Sequence, residues 1–522
     1  MLLISAQTRA VQNHGTPAPM PTTSFTSAPP ETDRTRKDPK GDAFALYLAP
    51  TAPPSMDRLA QRPPNAQPSG LGADTARVPI GRPRAPSTSE HWISNAPRPA
   101  TCPARHAAIR PARESAAVAR SAVALRHIPL TRLPRAEVLR FVRAMPKVEL
   151  HRHLEGDLSV DDIVASQVPH PRTPTTQARE DVRAHAEMGP TDRTLAAMLD
   201  KFETIGRAFT SRAAVRDMTQ HALKRCAEDN IQHVELRFSP LFMAHAHQLD
   251  PEEMILGVIE GVQASHNLEL SVRLILVVER QMGSEAAERV ERWAEKYRAY
   301  GVAGLDLAND ELHYPPRPYE SVFARAKKAG LHITVHAGEC RGRESVLDAV
   351  DRLHADRVGH AVQIQNDPDV LEHLRAHKTT LELCPTSNVK TGAIRTLGEH
   401  PLPRYLPQGQ RVTINTDDPS VFQTSLSTEF MKVIEAFDLS LDDLHRMLLN
   451  AVDGAFLEET ERNALRERVE REFWRCADVF LHGPAAGPSA GPRMAARSEA
   501  QPNLIPTDTR ANVRRRSAHR DT

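Results

Sequence analysis

The segment 333–339 reads Ile-Thr-Val-His-Ala-Gly-Glu, so an apolar β-like run ends in a histidine and, three residues later, a glutamate. Three other segments end in side chains that bind a divalent metal or move protons. They are 147–153 (Lys-Val-Glu-Leu-His-Arg-His), 357–360 (Arg-Val-Gly-His) and 414–419 (Ile-Asn-Thr-Asp-Asp-Pro). Four strand-like segments with such endings indicate an enzyme.

Strand-like segments alternate with helical patterns through the middle of the chain. We predict eight strands, at 147–153, 233–239, 269–279, 302–308, 332–337, 356–362, 379–384 and 411–416. Many are apolar at most positions, which is typical of strands buried on both faces. Helical patterns lie between them at 193–229, which has room for two helices, 251–266, 284–300, 316–329, 343–354 and 367–377. Repeated β-then-α units predict an α/β fold, a (β/α)8 TIM-type barrel with extra helices, and functional residues at the strand C-terminal ends.

Composition separates this barrel from its flanks. Residues 1–127 are rich in Pro, Ser, Thr, Ala and Arg without sustained periodicity, and we expect a disordered N-terminal tail. Residues 128–482 form the predicted barrel domain. Residues 483–522 are expected to be a disordered basic tail, and we interpret the arginines at 514–516 as part of a solvated tail rather than as a nucleic-acid or localisation signal. Acidic residues in the first 127 argue against an organelle transit peptide, and translation from a start downstream of Met1 is an alternative.

Charge and cysteine usage restrict the cellular setting. The formal net charge is +1, so no global field favours nucleic acid or a membrane surface as partner. The five cysteines are odd in number and contain no C-x-x-C pair, which indicates a reducing compartment without a disulfide framework. No run approaches the roughly 20 apolar residues of a membrane span. The sequence therefore predicts a cytoplasmic protein and leaves its oligomeric state open.

Four residues are candidate metal ligands. His151 and His153 alternate along one strand, so both imidazoles can face a single ion. His336 supplies a third nitrogen and Asp417 a carboxylate oxygen. Taken alone, the pair His151 and His153 is more often two hydrogen-bonded side chains in a polar barrel mouth than a metal site. Three histidines and one aspartate with one position left for water describe an open catalytic site, which suits one zinc ion.

Proton-handling residues must face such a site. Zinc lowers the pKa of bound water to about 7, and His360 is the candidate for holding and deprotonating that water. Glu339 can protonate a substrate nitrogen while hydroxide attacks the neighbouring carbon, which requires burial or a like charge to raise its pKa. Adjacent side chains diverge, so Asp417 and Asp418 have different roles: one ligates and the other accepts a hydrogen bond from substrate.

These motifs resemble the adenosine deaminase family of zinc amidohydrolases, and the resemblance extends over about 140–480. The matching strings are 146–156, 304–311, 336–339, 357–360, 384–389 and 415–419. The resemblance implies hydrolysis of adenosine and 2′-deoxyadenosine to inosine, or deoxyinosine, and ammonia, by attack of zinc hydroxide at C6 of the purine. It also implies one Zn²⁺ per subunit and a small-molecule purine nucleoside as partner.

The resemblance further implies a role for each motif residue. Zinc ligands would be His151, His153, His336 and Asp417. Catalytic residues would be Glu339, which protonates the purine, and His360, which acts on the water. Substrate-binding residues would be His153, Glu155, Asn309 and Asp418.

Three positions depart from the family pattern. Asn309 stands where glycine is common; asparagine tolerates positive φ, but its side chain narrows the site. Glu155 stands where adenosine-specific members usually carry aspartate near the ribose 5′-hydroxyl, and Ala361 stands where glycine is usual. Aminodeoxyfutalosine and adenine are therefore alternative substrates.

Two alternatives lie outside adenine deamination. A two-metal amidohydrolase also begins with H-x-H on its first strand, but it needs a bridging carboxylate or modified lysine and a further histidine. A non-catalytic barrel would have lost a catalytic position, and none is lost. The H-x-E and P-C-x-x-C pattern of the other zinc deaminases has no match. By its position, the segment 170–210 is expected to cover the site.

Overall fold

Eight parallel strands form a single sheet in chain order in the computed structural model, which describes residues 126–167 and 175–483. The strands are β1 Lys147–His153, β2 Ile231–Phe238, β3 Ser271–Glu279, β4 Val302–Ala308, β5 His332–Ala337, β6 Arg357–His360, β7 Thr380–Leu383 and β8 Arg411–Ile414. The prediction of an α/β barrel with eight parallel strands is confirmed. Strands β1, β4 and β5 have the predicted bounds.

Helices surround the sheet. They are α1 Arg135–Ala144, α2 Val160–Gln167, α3 Thr176–Ala186, α4 Leu195–Gly206, α5 Arg212–Glu228, α6 Pro240–His245, α7 Pro251–Ala264, α8 Gly283–Lys296, α9 Glu320–Lys328, α10 Arg343–Leu347, α11 Pro368–Ala376, α12 Pro385–Lys390, α13 Leu402–Tyr405, α14 Leu426–Phe437, α15 Leu441–Gly454 and α16 Glu459–His482. The predicted tract 193–229 contains two helices, α4 and α5. None of the described helices is both long and apolar enough to cross a membrane.

Alternate residues along each strand face different environments. Leu381 and Leu383 of β7 pack in the apolar core, whereas Glu382 between them contacts residues of other strands inside the barrel. In β4, Leu305 belongs to the same core and the neighbouring Asp306 points inward. The helices thus cover an apolar outer face, and the barrel interior is lined by charged side chains.

Glu382 joins five strands through its carboxylate. Its oxygens lie 2.7 Å from Nδ1 of His151, 3.0 Å from Nη2 of Arg237 and 3.1 Å from Oγ1 of Thr334. They also accept a hydrogen bond from Nε of Arg357. Burial opposes ionisation, but the charges of Arg237 and Arg357 hold the pKa of Glu382 well below its usual value. An ionised carboxylate thus connects β1, β2, β5, β6 and β7.

The barrel closes between β8 and β1 through residues of the predicted site. The N–H of Asp417 donates to the carbonyl of His151, and the N–H of His153 donates to the carbonyl of Asp417, both at 2.9 Å. One step below, the N–H of Leu150 donates to Oδ1 of Asn415 at 3.0 Å. The closure therefore fixes the backbone of three candidate metal ligands.

Four strands, β3, β6, β7 and β8, are shorter than predicted, and for β6 and β8 the reason is local. Strand β6 ends at His360 because His360 and Ala361 adopt φ of 68° and 50°, which extended strands do not. Strand β8 ends at Ile414, and φ at Asp417 is 64°. The predicted tails lie outside the described residues except for 126–127 and 483, and 170–174 of the expected covering segment lies outside them too; these stay predictions.

Replacement of Arg357 by methionine should lower the free energy of unfolding by about 3–5 kcal/mol. It removes one of the two arginines that compensate the buried charge of Glu382, and it removes the arginine whose Nη1 lies 2.7 Å from the buried Glu235. Urea unfolding measures the change. Arg135→Met is the matched control, because its ion pair with Glu435 is solvent-exposed and should contribute less than about 1 kcal/mol. Equal effects of the two substitutions would contradict a stabilising role for the buried network.

Candidate active site

The four predicted metal ligands meet at the C-terminal ends of β1, β5 and β8. Oδ1 of Asp417 lies 3.1 Å from Nε2 of His151 and 3.4 Å from Nε2 of His153. Nε2 of His153 lies 3.3 Å from Nε2 of His336. Each of these side chains is buried or nearly so. The structure thus brings together four atoms of the types that bind zinc.

The spacing of these atoms fits a shared ion. Ligands about 2.0–2.1 Å from a tetrahedral metal lie about 3.3 Å from one another. Nε2 of His151 makes no hydrogen bond to any described residue, although Oδ1 of Asp417 is close to it. Two ligand atoms that face a common ion, and not each other, have this arrangement. The residues therefore fit a metal ion.

Acidic residues deep in the barrel orient two of the ligand histidines. Nδ1 of His151 lies 2.7 Å from Glu382, and Nδ1 of His336 lies 3.0 Å from Oδ1 of Asp306. Each contact directs the hydrogen to Nδ1 and leaves Nε2 free to ligate, as is usual in zinc sites. Arg237 donates to both carboxylates, at 3.0 Å to Glu382 and 2.8 Å to Asp306.

His360 stands beside this centre at the end of β6. Its ring nitrogen lies within 4.8 Å of the ligand atoms of His151, His336 and Asp417. Nδ1 of His360 lies 3.0 Å from the side-chain amide of Asn388, and Nε2 lies 3.7 Å from Oε2 of Glu339. The histidine is close enough to face a metal-bound group and the predicted proton donor together.

Glu339 lies in a loop that another acid holds in place. Glu311 accepts hydrogen bonds from the backbone N–H groups of 338–341, at 2.7, 3.1, 2.7 and 3.2 Å. The Glu339 side chain is buried, and its Oε1 accepts a hydrogen bond from Oγ1 of Thr391 at 3.0 Å. Backbone and side-chain contacts together fix the direction of this carboxyl group.

Asp418 points to a different place from its neighbour. Oγ of Ser387 donates to Oδ2 of Asp417 at 2.6 Å. Oδ1 of Asp418 is buried and has no hydrogen-bond partner among the described residues. Burial, followed by the charges of Asp417 and Glu155, raises the pKa of Asp418 well above its usual value. The free oxygen agrees with the predicted contact to substrate.

The remaining predicted substrate residues lie on the β1–β4 side of the barrel mouth. Oε1 of Glu155 accepts the N–H of Ser239 at 2.6 Å, and Oε2 has no described partner. Burial raises the pKa of Glu155 to about 8. Asn309 is exposed with φ of 76°, and its Nδ2 donates to Oε2 of Glu279 at 3.1 Å. The asparagine side chain is thus directed to Glu279.

Four of the ten non-glycine residues with positive φ in the described parts of the chain lie at the site. Asn309, His360, Ala361 and Asp417 all have positive φ, a region that non-glycine residues occupy at a cost of about 1–2 kcal/mol. Ala361 therefore adopts the conformation that glycine prefers at this family position. Such strain persists only where the surrounding contacts hold it, as at functional sites.

The residues that hold the predicted ones in place were not among the predictions from the sequence. Asp306 and Glu382 orient histidines, Glu311 holds the Glu339 loop, and Ser387 and Thr391 contact the acids. A signal existed for two of them, because Leu-Asp-Leu at 305–307 and Leu-Glu-Leu at 381–383 each place one acid inside a buried strand. An acid at such a position needs a buried partner.

Comparison with known proteins gives a consistent result. The family model described as adenosine deaminase matches residues 146–472. The adenosine deaminase of Klebsiella pneumoniae (strain 342) is 34% identical over 63% of this chain and 98% of its own, and that of Enterococcus faecalis is 32% identical over 64% and 98%. A solved adenine deaminase from Arthrobacter aurescens has a TM-score of 0.58 and 27% identity over 63% of this chain and 99% of its own. A zinc-bound amidohydrolase from Burkholderia ambifaria shares the fold, with a TM-score of 0.58 and 24% identity over 66% and 94%.

A closed parallel barrel with histidines and an aspartate at the strand ends defines a metal-dependent hydrolase. Within this class, the chain belongs to the adenosine deaminase family, since the family model covers well over half of its residues.

Asp306→Asn should weaken metal binding by about 10–100-fold. The amide cannot accept from His336 and Arg237 as the carboxylate does, so the ring of His336 loses its orientation. Titration of metal-depleted protein with zinc against a competing chelator measures the affinity. Asp310→Asn, four positions further on, is the control, because the half-buried Asp310 contacts His313 and no candidate ligand. An unchanged affinity for Asp306→Asn would contradict the orienting role.

Gly156→Ala should reduce turnover about 100-fold while metal content stays the same. A Cβ on Gly156 would lie 1.9 Å from Oδ1 of Asp418, and its three nearest atoms all belong to Asp418, so it is Asp418 that must move. Steady-state kinetics and metal analysis separate the two effects. Gly398→Ala is the control, because its Cβ would meet no heavy atom closer than 3.9 Å. Full turnover by Gly156→Ala would show that the position of Asp418 is unimportant.

Proposed function

We propose that this protein hydrolyses adenosine and 2′-deoxyadenosine to inosine and deoxyinosine with release of ammonia. The observation that carries the proposal is the meeting of four ligand atoms, Glu339 and His360 in one buried site. The relatives at 32–34% identity are named adenosine deaminases, which favours adenosine over adenine or aminodeoxyfutalosine.

We propose zinc as the metal, held by His151, His153, His336 and Asp417. Three imidazole nitrogens and one carboxylate oxygen suit this ion, and the Burkholderia ambifaria amidohydrolase with the same fold has zinc bound. When bound, zinc makes a hydroxide nucleophile available at neutral pH. Among the described residues, the neighbouring group of His153, Asp306 and His336 shares its two histidines with the proposed ligand set, so it offers no independent support for a two-metal site.

Glu339 is the proposed proton donor to N1 of the purine. Addition of hydroxide to C6 moves the C6–N1 π electrons to N1, which must take up a proton as the ring loses its aromaticity. Thr391 holds one oxygen of Glu339, and the other faces His360. Collapse of the adduct forms the C6=O bond of the product as the hydroxyl gives up its proton, while N1 keeps its proton and the 6-amino group, once it has gained a proton, leaves as ammonia.

His360 is the proposed base for the water proton. Nε2 can accept a proton only if Nδ1 carries the hydrogen, and an acceptor must then face Nδ1. The side-chain amide of Asn388 provides it: a half-turn of the amide places Oδ1, which has no described partner, against Nδ1. Asn388 thus sets the tautomer that the reaction needs. The free oxygen of Asp418 completes the site as a purine contact.

Glu339→Gln should reduce ammonia release from adenosine by about 10²–10⁴-fold, because the amide keeps the shape of the side chain but cannot donate the proton that N1 needs. Zinc-loaded protein is assayed with adenosine, 2′-deoxyadenosine, adenine and aminodeoxyfutalosine, and zinc content is measured in parallel. The exposed Glu344→Gln, in the first turn of α10, should keep full activity.

The same assay contains the results that would reject the proposal. Faster turnover of adenine or aminodeoxyfutalosine than of adenosine would change the substrate. No ammonia from any of the four compounds, with zinc bound, would exclude adenine-compound deamination.

A further inference from the structure

Glu279 occupies a place in the barrel mouth that the mechanism does not use. It is the last residue of β3, its side chain is 5% exposed, and it comes directly before the 3₁₀ turn Arg280–Met282. Strand C-terminal ends carry the functional residues of a (β/α)8 barrel. A buried acid at such an end needs an explanation, because isolated buried carboxylates are costly.

Three donors hold this carboxyl group. Ser239 Oγ donates to Oε1 at 2.5 Å, and Gln281 Nε2 and Asn309 Nδ2 donate to Oε2 at 2.9 and 3.1 Å. The backbone N–H of the same Ser239 donates to Oε1 of Glu155. Ser239 therefore bridges the two acids. Glu279 ends β3, Glu155 follows two residues after β1, and these two strands lie on either side of β2.

No cation neutralises this pair within 126–167 and 175–483, since none of the ion pairs there includes Glu279 or Glu155. Arg280, next in sequence, directs its guanidinium elsewhere, to the carbonyls of Tyr314 and His336 at 2.8 and 2.6 Å. Burial raises the pKa of Glu279 to about 6, which still leaves it ionised at pH 7.5.

The pair lies on the side of the mouth opposite the proton-handling groups. In a barrel of eight strands in chain order, β2 lies across the axis from β6, which carries His360, and β3 lies across from β7. The reacting carbon and the sugar are at opposite ends of a purine nucleoside. A substrate with its six-membered ring between Glu339 and His360 therefore extends its sugar toward β2 and β3.

We propose that Glu279, bridged to Glu155 by Ser239, forms an acidic wall that selects adenine compounds with hydroxyl groups on the sugar and rejects those with a 5′-phosphate. This inference rests on the proposed function. Sugar hydroxyls donate to a carboxylate, whereas a phosphate brings a like charge against it. Two like charges in contact near a protein surface repel strongly enough to change binding roughly 100-fold.

The test measures kcat/KM for the zinc-loaded full chain and its Glu279→Gln variant with three substrates: adenosine, AMP, and 5′-deoxy-5′-methylthioadenosine. The thioether extends the 5′ position without charge, so it separates size from charge. The wild type should prefer adenosine to AMP by at least about 100-fold and should discriminate much less against the thioether. Glu279→Gln should reduce the preference for adenosine over AMP at least tenfold.

The exposed Glu285→Gln, in the first turn of α8, removes a charge near the same strand end and should leave this preference unchanged. Equal wild-type efficiency with AMP and adenosine would overturn the inference and leave the deaminase function intact, and this result needs no variant. An unchanged preference in folded Glu279→Gln, or rejection of the thioether as strong as that of AMP, would also overturn it. Absence of adenosine turnover would remove the proposed function, and the inference with it.

Discussion

The carboxylate of Glu382 is the contact on which both the barrel and its site depend. It sits in the interior, where Arg237 and Arg357 compensate its charge and where it also accepts hydrogen bonds from His151 and Thr334. Most barrel interiors are filled by branched apolar residues. Here an ionic network fills the interior, and through Glu382 it contacts the candidate metal ligand His151 directly. Such a network adds little net stability over apolar packing, so its value lies in the geometry that it imposes.

The contacts that close the barrel also position candidate ligands. Strands β8 and β1 are joined beyond Ile414 by backbone hydrogen bonds of Asp417 with His151 and His153. Closure of the sheet and assembly of the ligand set are thus one event. A change that opened this junction would separate an aspartate from two histidines, even if every side chain remained. We infer that the ligands are positioned before a metal ion binds, which limits the reorganisation that binding requires.

The candidate ligands at the strand ends could be predicted from the sequence, whereas the contacts inside the barrel could not. Strand β5 could be predicted because an apolar run leads directly to His336, and ligand types at successive strand ends must meet in a parallel barrel. The network around Glu382 could not, since which of the inward-facing residues touch depends on the register and tilt of strands far apart in sequence. The early end of β6 was also missed, because positive φ at His360 and Ala361 follows from tertiary contacts and not from the preference of either residue.

Charge is arranged in layers along the barrel axis. Deep in the interior, Arg237 and Arg357 balance acids whose other partners are ligand histidines. At the mouth, Glu155 and Asp418 have oxygens without described partners. An ion held by three neutral imidazoles and one aspartate leaves a net positive centre between these layers. The deep arginines prevent the supporting acids from weakening that centre, while at the mouth the proposed acidic wall at Glu279 repels anions that the centre would otherwise attract. The structure can therefore combine a strong electrophilic metal with preference for an uncharged substrate.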